Sequence, residues 1–168
     1  MSFKIRKASI EDAYESSLCH IAAWQSAYKG IISDEYLDNM PTSLKQRVES
    51  FKDYQFDNFY LPTYEGKIIG KLILWDSRDE DKPGTGEIGA IYLLEEFWGK
   101  GYGYTMMNFA IRQLIGRGCT EVFLWVFEEN TRARLFYEKC GFVLDGAKKE
   151  VVIGTPLMEV RYVFKSVK

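Results

Sequence analysis

Phe3 and Ile5 alternate with Lys4 and Arg6, and this period of two predicts a short strand over residues 3–8. Ser9 stands three residues ahead of Asp12, a capping-box spacing that opens a helix running to about Tyr28. Tyr14, Leu18, Ile21, Gln25 and Tyr28 share its mostly apolar face, and Gly30 suits the left-handed stop. Leu44, Val48 and Phe51 give a second helical stripe within residues 43–53. Residues 58–65 and 67–75 read as strands meeting in a hairpin at Gly66.

Farther along, residues 76–86 are polar and predict a solvated turn, and residues 87–94 a strand. In residues 101–116, Met106, Met107, Ala110, Ile111, Leu114 and Ile115 lie on one helical face. Residues 122–127 are six apolar positions in a row, as a strand covered on both sides requires. A short helix over residues 131–140 closes at Gly141. Met158, Val160, Tyr162 and Phe164 then alternate with Glu159, Arg161, Val163 and Lys165 in a half-buried last strand. The order β-α-α-β-β-β-α-β-α-β-β is α+β, a mostly antiparallel sheet of about seven strands with about four helices.

Composition narrows the chemistry. The 168 residues fit one domain, 1–168, with no repeat or linker to divide it. With 46% apolar residues, wholesale disorder is excluded. Twenty-two basic against 24 acidic residues leave no cationic field, which argues against a nucleic-acid partner. A single histidine, His20, excludes a multi-histidine metal site, and no metal is expected. Cys19, Cys119 and Cys140 lack the spacing of a disulfide framework and read as small packed residues of a reducing compartment. Residues 1–6 carry no signal-peptide core, and no run approaches a membrane span, so a cytoplasmic protein without membrane contact is expected.

The candidate chemistry begins at Trp98-Gly99-Lys100-Gly101-Tyr102-Gly103, between an apolar strand and the strongest helix pattern. Alternate glycines before a helix leave N–H groups uncovered at the positive end of the helix dipole, a site suited to a diphosphate, with Lys100 at its rim. The spacing matches neither the P-loop nor the dinucleotide fingerprint, and a plain glycine-rich turn is the alternative. Asn130 then opens a second segment, in which Ala133, Tyr137, Gly141 and Phe142 recur at fixed intervals.

Together the two segments resemble the acetyl-CoA signature of the GNAT superfamily of N-acetyltransferases. The second, N-x-x-A-x-x-x-Y-x-x-x-G-F, matches at every defined position. The first departs at Trp98, where the family has Gln or Arg. The resemblance implies a GNAT-like fold over nearly the whole chain, and acetyl-CoA as acyl donor to a primary amine on a small molecule or peptide. It implies pantetheine pairing along Ile91, Tyr92 and Leu93, and diphosphate binding at Trp98, Gly99, Lys100, Gly101, Tyr102, Gly103 and Tyr104. Asn130 and Ala133 would complete the cofactor contacts, although Asn130 also fits a simple helix cap.

Tyr137 is implied as general acid, because a phenol with an ordinary pKa near ~10 can protonate a departing thiolate near ~8.5. A buried core aromatic is the alternative. Glu87 is implied as base, with an exposed strand-end carboxylate as its rival and Glu121 or Tyr92 as substitutes. The chain has no G-x-S-x-G elbow, and no Ser or Cys has an evident His partner, so direct attack in a ternary complex is expected. Trp24, Tyr28 and Tyr36, beside Asp34 and Glu35, could bind a cationic acceptor or be core aromatics and a turn. A non-catalytic acetyl-CoA sensor is the rival function, and family folds also suggest a possible homodimer.

Overall fold

A computed structural model of the protein describes residues 2–165; Met1, part of the N-terminal run, lies outside the described residues. The chain divides into two compact units, each drawn from two stretches of sequence. One runs up to Ile73 and adds Ala90–Met106; the other joins Leu74–Gly89 to the residues from Met107 onward.

The first unit holds β1 (Phe3–Lys7), α1 (Ala13–Ala27), α2 (Asp34–Asn39), α3 (Leu44–Ser50), β2 (Phe59–Tyr64) and β3 (Lys67–Ile68). It also holds the start of β4 (Gly70–Asp76), the end of β5 (Gly86–Leu93) and the start of α4 (Tyr102–Gly116). β1 lies antiparallel to β2 from Phe3 against Tyr64 to Lys7 against Tyr60. Glu65 and Gly66 both take positive φ, 49° and 84°, as a tight two-residue hairpin turn demands. The strand expected over 67–75 is broken at Ile69. Pro62 opposite has no N–H to return, so the Ile69 carbonyl accepts from Leu94 N instead, at 2.9 Å.

Helix α1 buries Ile21 of its expected stripe, but its first half turns a different face inward from the one its large residues suggest. Ala13, Ser16, Ser17, Cys19, Ile21 and Ala23 are buried, whereas Tyr14 and Leu18 are exposed. Small side chains let the backbone approach its neighbours closely, which a size-weighted stripe overlooks.

The second unit holds the end of β4, the start of β5, most of α4, β6 (Glu121–Phe127), α5 (Thr131–Lys139), β7 (Val143–Ile153) and β8 (Thr155–Lys165). β5 and β6 run parallel at Gly86 against Val122 and Glu87 against Phe123. β8 is antiparallel to β6 along its length and to β7, whose register shifts between Leu144 and Lys148. The strand order is β1-β2-β4-β5-β6-β8-β7, with β3 attached to β2. Among the described residues, eight strands, the two-residue β3 included, and four helices of seven residues or more beside the six-residue α2 agree with the α+β expectation. Met106, Met107, Ala110 and Leu114 of α4 are fully buried, as their stripe predicts.

From Val160 to Val163 β8 is buried on both faces rather than one. Arg161 is only 4% exposed, because Asp79 accepts from its Nη1 at 2.9 Å, Asp81 from Nη2 at 2.6 Å and Asp145 from Nε at 2.8 Å. The acidic 76–86 turn is therefore more than a solvated loop, since two of its carboxylates neutralise a buried guanidinium. Among the described residues no helix is long and apolar enough to cross a membrane.

Candidate functional site

In the first unit, the glycine loop sits between β5 and α4. Gly99 and Gly101 take φ of 71° and 84°, a left-handed conformation that other residues adopt only with strain. Gly103 lies inside α4. Thr105 N donates to the Gly101 carbonyl at 3.1 Å, which places the earlier amides of Tyr102, Gly103 and Tyr104 in the first helical turn, where no intrahelical acceptor exists. The Tyr102 ring stacks on Phe3 at 4.7 Å and packs on Tyr64 and Phe97, anchoring the helix start. Trp98, the departure from the family pattern, donates its indole N–H to the Leu93 carbonyl at 3.0 Å and so ties the loop to β5. These uncovered amides, with the helix dipole behind them, suit a diphosphate. Tyr104 is exposed, and Lys100 Nζ lies 5.5 Å from the Phe97 ring.

Tyr92, on β5, joins a cluster of rings from α1 and its C-terminal end. Its hydroxyl lies 3.2 Å from that of Tyr28, Trp24 packs edge-on to Tyr28 at 4.9 Å, and His20 stacks on Trp24 at 5.1 Å. The structure thus brings Trp24 and Tyr28 together with Tyr92. Tyr36, in the first turn of α2, is 36% exposed and donates its backbone N–H to the Ser33 cap. Gly70 lets β4 pass close to this strand, because a Cβ there would overlap the Tyr92 carbonyl oxygen.

Behind the rings lie polar groups that the apolar–polar pattern of the chain does not reveal. His20 Nδ1 and Trp24 Nε1 are buried without a hydrogen-bond partner. Burial, with the Lys71 and Arg47 charges nearby, pushes the His20 imidazole down to about 3, so it is neutral at ordinary pH. Lys71 is 6% exposed, and its Nζ sits 3.2 Å from the Tyr54 hydroxyl and about equally over the Tyr54 and Phe59 rings, at 4.8 and 5.0 Å. Burial, then Arg47, lowers its ammonium to about 8, which leaves it mostly charged at neutral pH. The signal was present in the chain: a lysine in the apolar run from Gly70 to Trp75.

In the second unit, Asn130 caps α5 by accepting from Ala133 N at 3.2 Å, while its side-chain amide keeps its own donors. Tyr137 is buried among Phe136, Phe142 and Tyr162, the last at 6.3 Å between centroids. Glu87 is buried rather than exposed at its strand end, and Arg78 forks its two oxygens at 2.9 and 2.7 Å. Glu159 is a second carboxyl in reach of Glu87; burial raises it, against the pull of Lys149. Glu121 lies between Lys82 at 3.1 Å and Lys165 at 3.6 Å. Burial pushes the Cys19 thiol up to about 12 and Cys140 up to about 11, so neither is an activated nucleophile.

Residues 23–142, which span both motifs, match the acetyltransferase (GNAT) family, and the chain belongs to that family. It is an acetyl-CoA-dependent N-acetyltransferase. It is 28% identical over 162 residues to the uncharacterised N-acetyltransferase YuaI of Bacillus subtilis, covering 90% of this chain and 92% of that one. It is 27% identical over 153 residues to a spermidine N(1)-acetyltransferase of Thermoplasma acidophilum, covering 86% and 91%. The crystal structure of the PaiA N-acetyltransferase of Thermoplasma acidophilum in complex with coenzyme A superposes with a TM-score of 0.70 at 25% identity, over 99% of this chain and 100% of that one.

Proposed function

We propose that the protein transfers the acetyl group of acetyl-CoA to a primary amine by direct attack in a ternary complex. The observation that carries the cofactor reading is the left-handed Gly99–Gly101 loop feeding the uncovered first-turn amides of α4. On this reading Trp98, Gly99, Lys100, Gly101, Tyr102, Gly103 and Tyr104 hold the diphosphate, and Ile91, Tyr92 and Leu93 offer backbone groups to the pantetheine. Asn130 adds its free amide N–H, and Ala133 keeps that side chain in place through the cap.

When bound, the cofactor supplies an activated acyl carbon. The amine nitrogen bonds to that carbon, the carbon–sulfur bond breaks, and the sulfur takes the Tyr137 phenol proton. The second nitrogen proton, shed as the amide forms, returns through water to the Tyr137 phenolate, and the first leaves the ammonium to Glu87 before attack. Because Arg78 holds both Glu87 oxygens, the transfer runs through a water or after Arg78 swings away, and the Arg78 side chain is 61% exposed, with room to do so. The elevated Cys19 and Cys140 thiols support a path without an acyl-enzyme. Trp24 and Tyr28 receive the acceptor amine, with Tyr36 at the rim.

The same reading keeps residues 1–168 as one acetyltransferase domain and places it in the cytoplasm, in keeping with three unpaired cysteines. A homodimer through the terminal strands is supported by exposed Val143, Leu144 and Val152 on β7, the last strand of the sheet, and sedimentation equilibrium reads it directly. Acetyl-CoA at about 100 times its Kd should stabilise the fold by ~2.7 kcal/mol. That corresponds to a rise in Tm of roughly 5–10 °C for a chain of this size. An unmoved Tm at millimolar acetyl-CoA would defeat the cofactor assignment.

A further inference from the structure

Lys71 and Arg47 lie in the first unit beside the proposed acceptor cluster, and His20 links the two groups. His20 stacks on Trp24 and also feels both cationic charges. Neither cation is paired with a carboxylate among the described residues. Lys71 has three N–H groups and one acceptor, the Tyr54 hydroxyl. Arg47 has five and directs its Nε–H to Ser43 Oγ, 2.8 Å away. Trp24 Nε1 is a buried donor without any acceptor. Burying an ammonium without a counter-charge is costly, and a fold has no need of it where methionine would pack. Apart from His20, whose neutral ring can donate or accept, the under-satisfied groups here are donors, and the acceptors they find are the Tyr54 hydroxyl and Ser43 Oγ. A polyamine would bring more donors and more positive charge; an anion would supply what is missing.

We infer that the acceptor is a small amine carrying an anionic group, and that Lys71 and Arg47 bind that group while Trp24 and Tyr28 face the amine. Carboxylates and phosphates both meet the requirement. The inference rests on the acetyl-transfer reading above and narrows its acceptor. Arg47, Tyr54 and His20 are each half-buried, so the cluster reaches solvent through them.

The test is kcat/KM for matched pairs that differ only in the anionic group: lysine against cadaverine, tyrosine against tyramine, and O-phosphoethanolamine against ethanolamine, with spermidine alongside. At least one anionic member should be preferred tenfold or more over its partner, and the pair concerned separates carboxylate from phosphate. Lys71→Met and Arg47→Gln should each collapse that preference through KM for the amine while leaving KM for acetyl-CoA in place. Lys71→Met removes a buried charge, and Arg47→Gln changes a half-buried helix position, so at least one variant is expected to fold. If acetyl-CoA raises Tm but cadaverine, tyramine or spermidine is the better acceptor, or no anionic amine is acetylated, this inference is overturned and the acetyl-transfer reading stands. If acetyl-CoA neither shifts Tm nor releases thiol with any amine, the underlying reading falls, and this inference with it.

Discussion

Tyr137→Phe should lower kcat by on the order of 10²-fold, about 2.7 kcal/mol in the barrier, wherever chemistry limits the rate. The variant keeps the ring, and therefore the packing against Phe136, Phe142 and Tyr162, and loses only the hydroxyl. Stability should change little, which separates a chemical loss from a folding one. The leaving group offers a sharper discrimination. A thiolate of lower basicity needs less help to depart, so an acetyl thioester of a more acidic thiol should recover much of the lost rate. Equal losses with both thioesters would assign Tyr137 to packing alone, and unchanged turnover would remove it from the acid role.

The second large effect is on stability. Arg161→Met should cost about 3 kcal/mol or more, a drop in Tm of roughly 6–12 °C. Arg161 is buried between β6 and β7 with three carboxylates on its guanidinium, and their hydrogen bonds, that of Asp81 first, raise its already high pKa further. Removing it leaves Asp79 and Asp145, whose side chains are 18% and 19% exposed, with an uncompensated like-charge repulsion. Lys82, 3.6 Å from Asp145, relieves only part of it. Lysine is a poor replacement, because a point charge cannot fork to three carboxylates. Thermal unfolding reads the cost, and a loss below 1 kcal/mol would show that these carboxylates hydrate freely once the arginine is gone.

Much of this fold was legible because its strong elements agree at every level. The apolar stripe of α4 is the buried face, the continuous run Val122–Phe127 is the central β6, and the paired positive φ at Glu65 and Gly66 realises the hairpin expected there. The glycine loop and the Asn130 cap were legible for the same reason: each depends on local backbone chemistry that short spacings encode. What escaped depends on distant partners. Nothing in the alternation of β8 says that Arg161 points inward, since its carboxylates lie about 80 and 16 positions away. The buried face of α1 is built from small residues whose role appears only when neighbours close on them. Lys71 was visible as a charge in an apolar strand, but its meaning came from Arg47, Tyr54 and His20, which the fold gathers from two helices and a turn.

Direct transfer to an amine without an acyl-enzyme is read from the release of coenzyme A thiol. Initial rates are measured while acetyl-CoA and an accepted amine are varied together, alongside rapid mixing of the protein with acetyl-CoA alone. Direct transfer gives intersecting double-reciprocal lines and no thiol in the absence of amine. Parallel lines, with a burst of one thiol per protein before any amine is added, would contradict it.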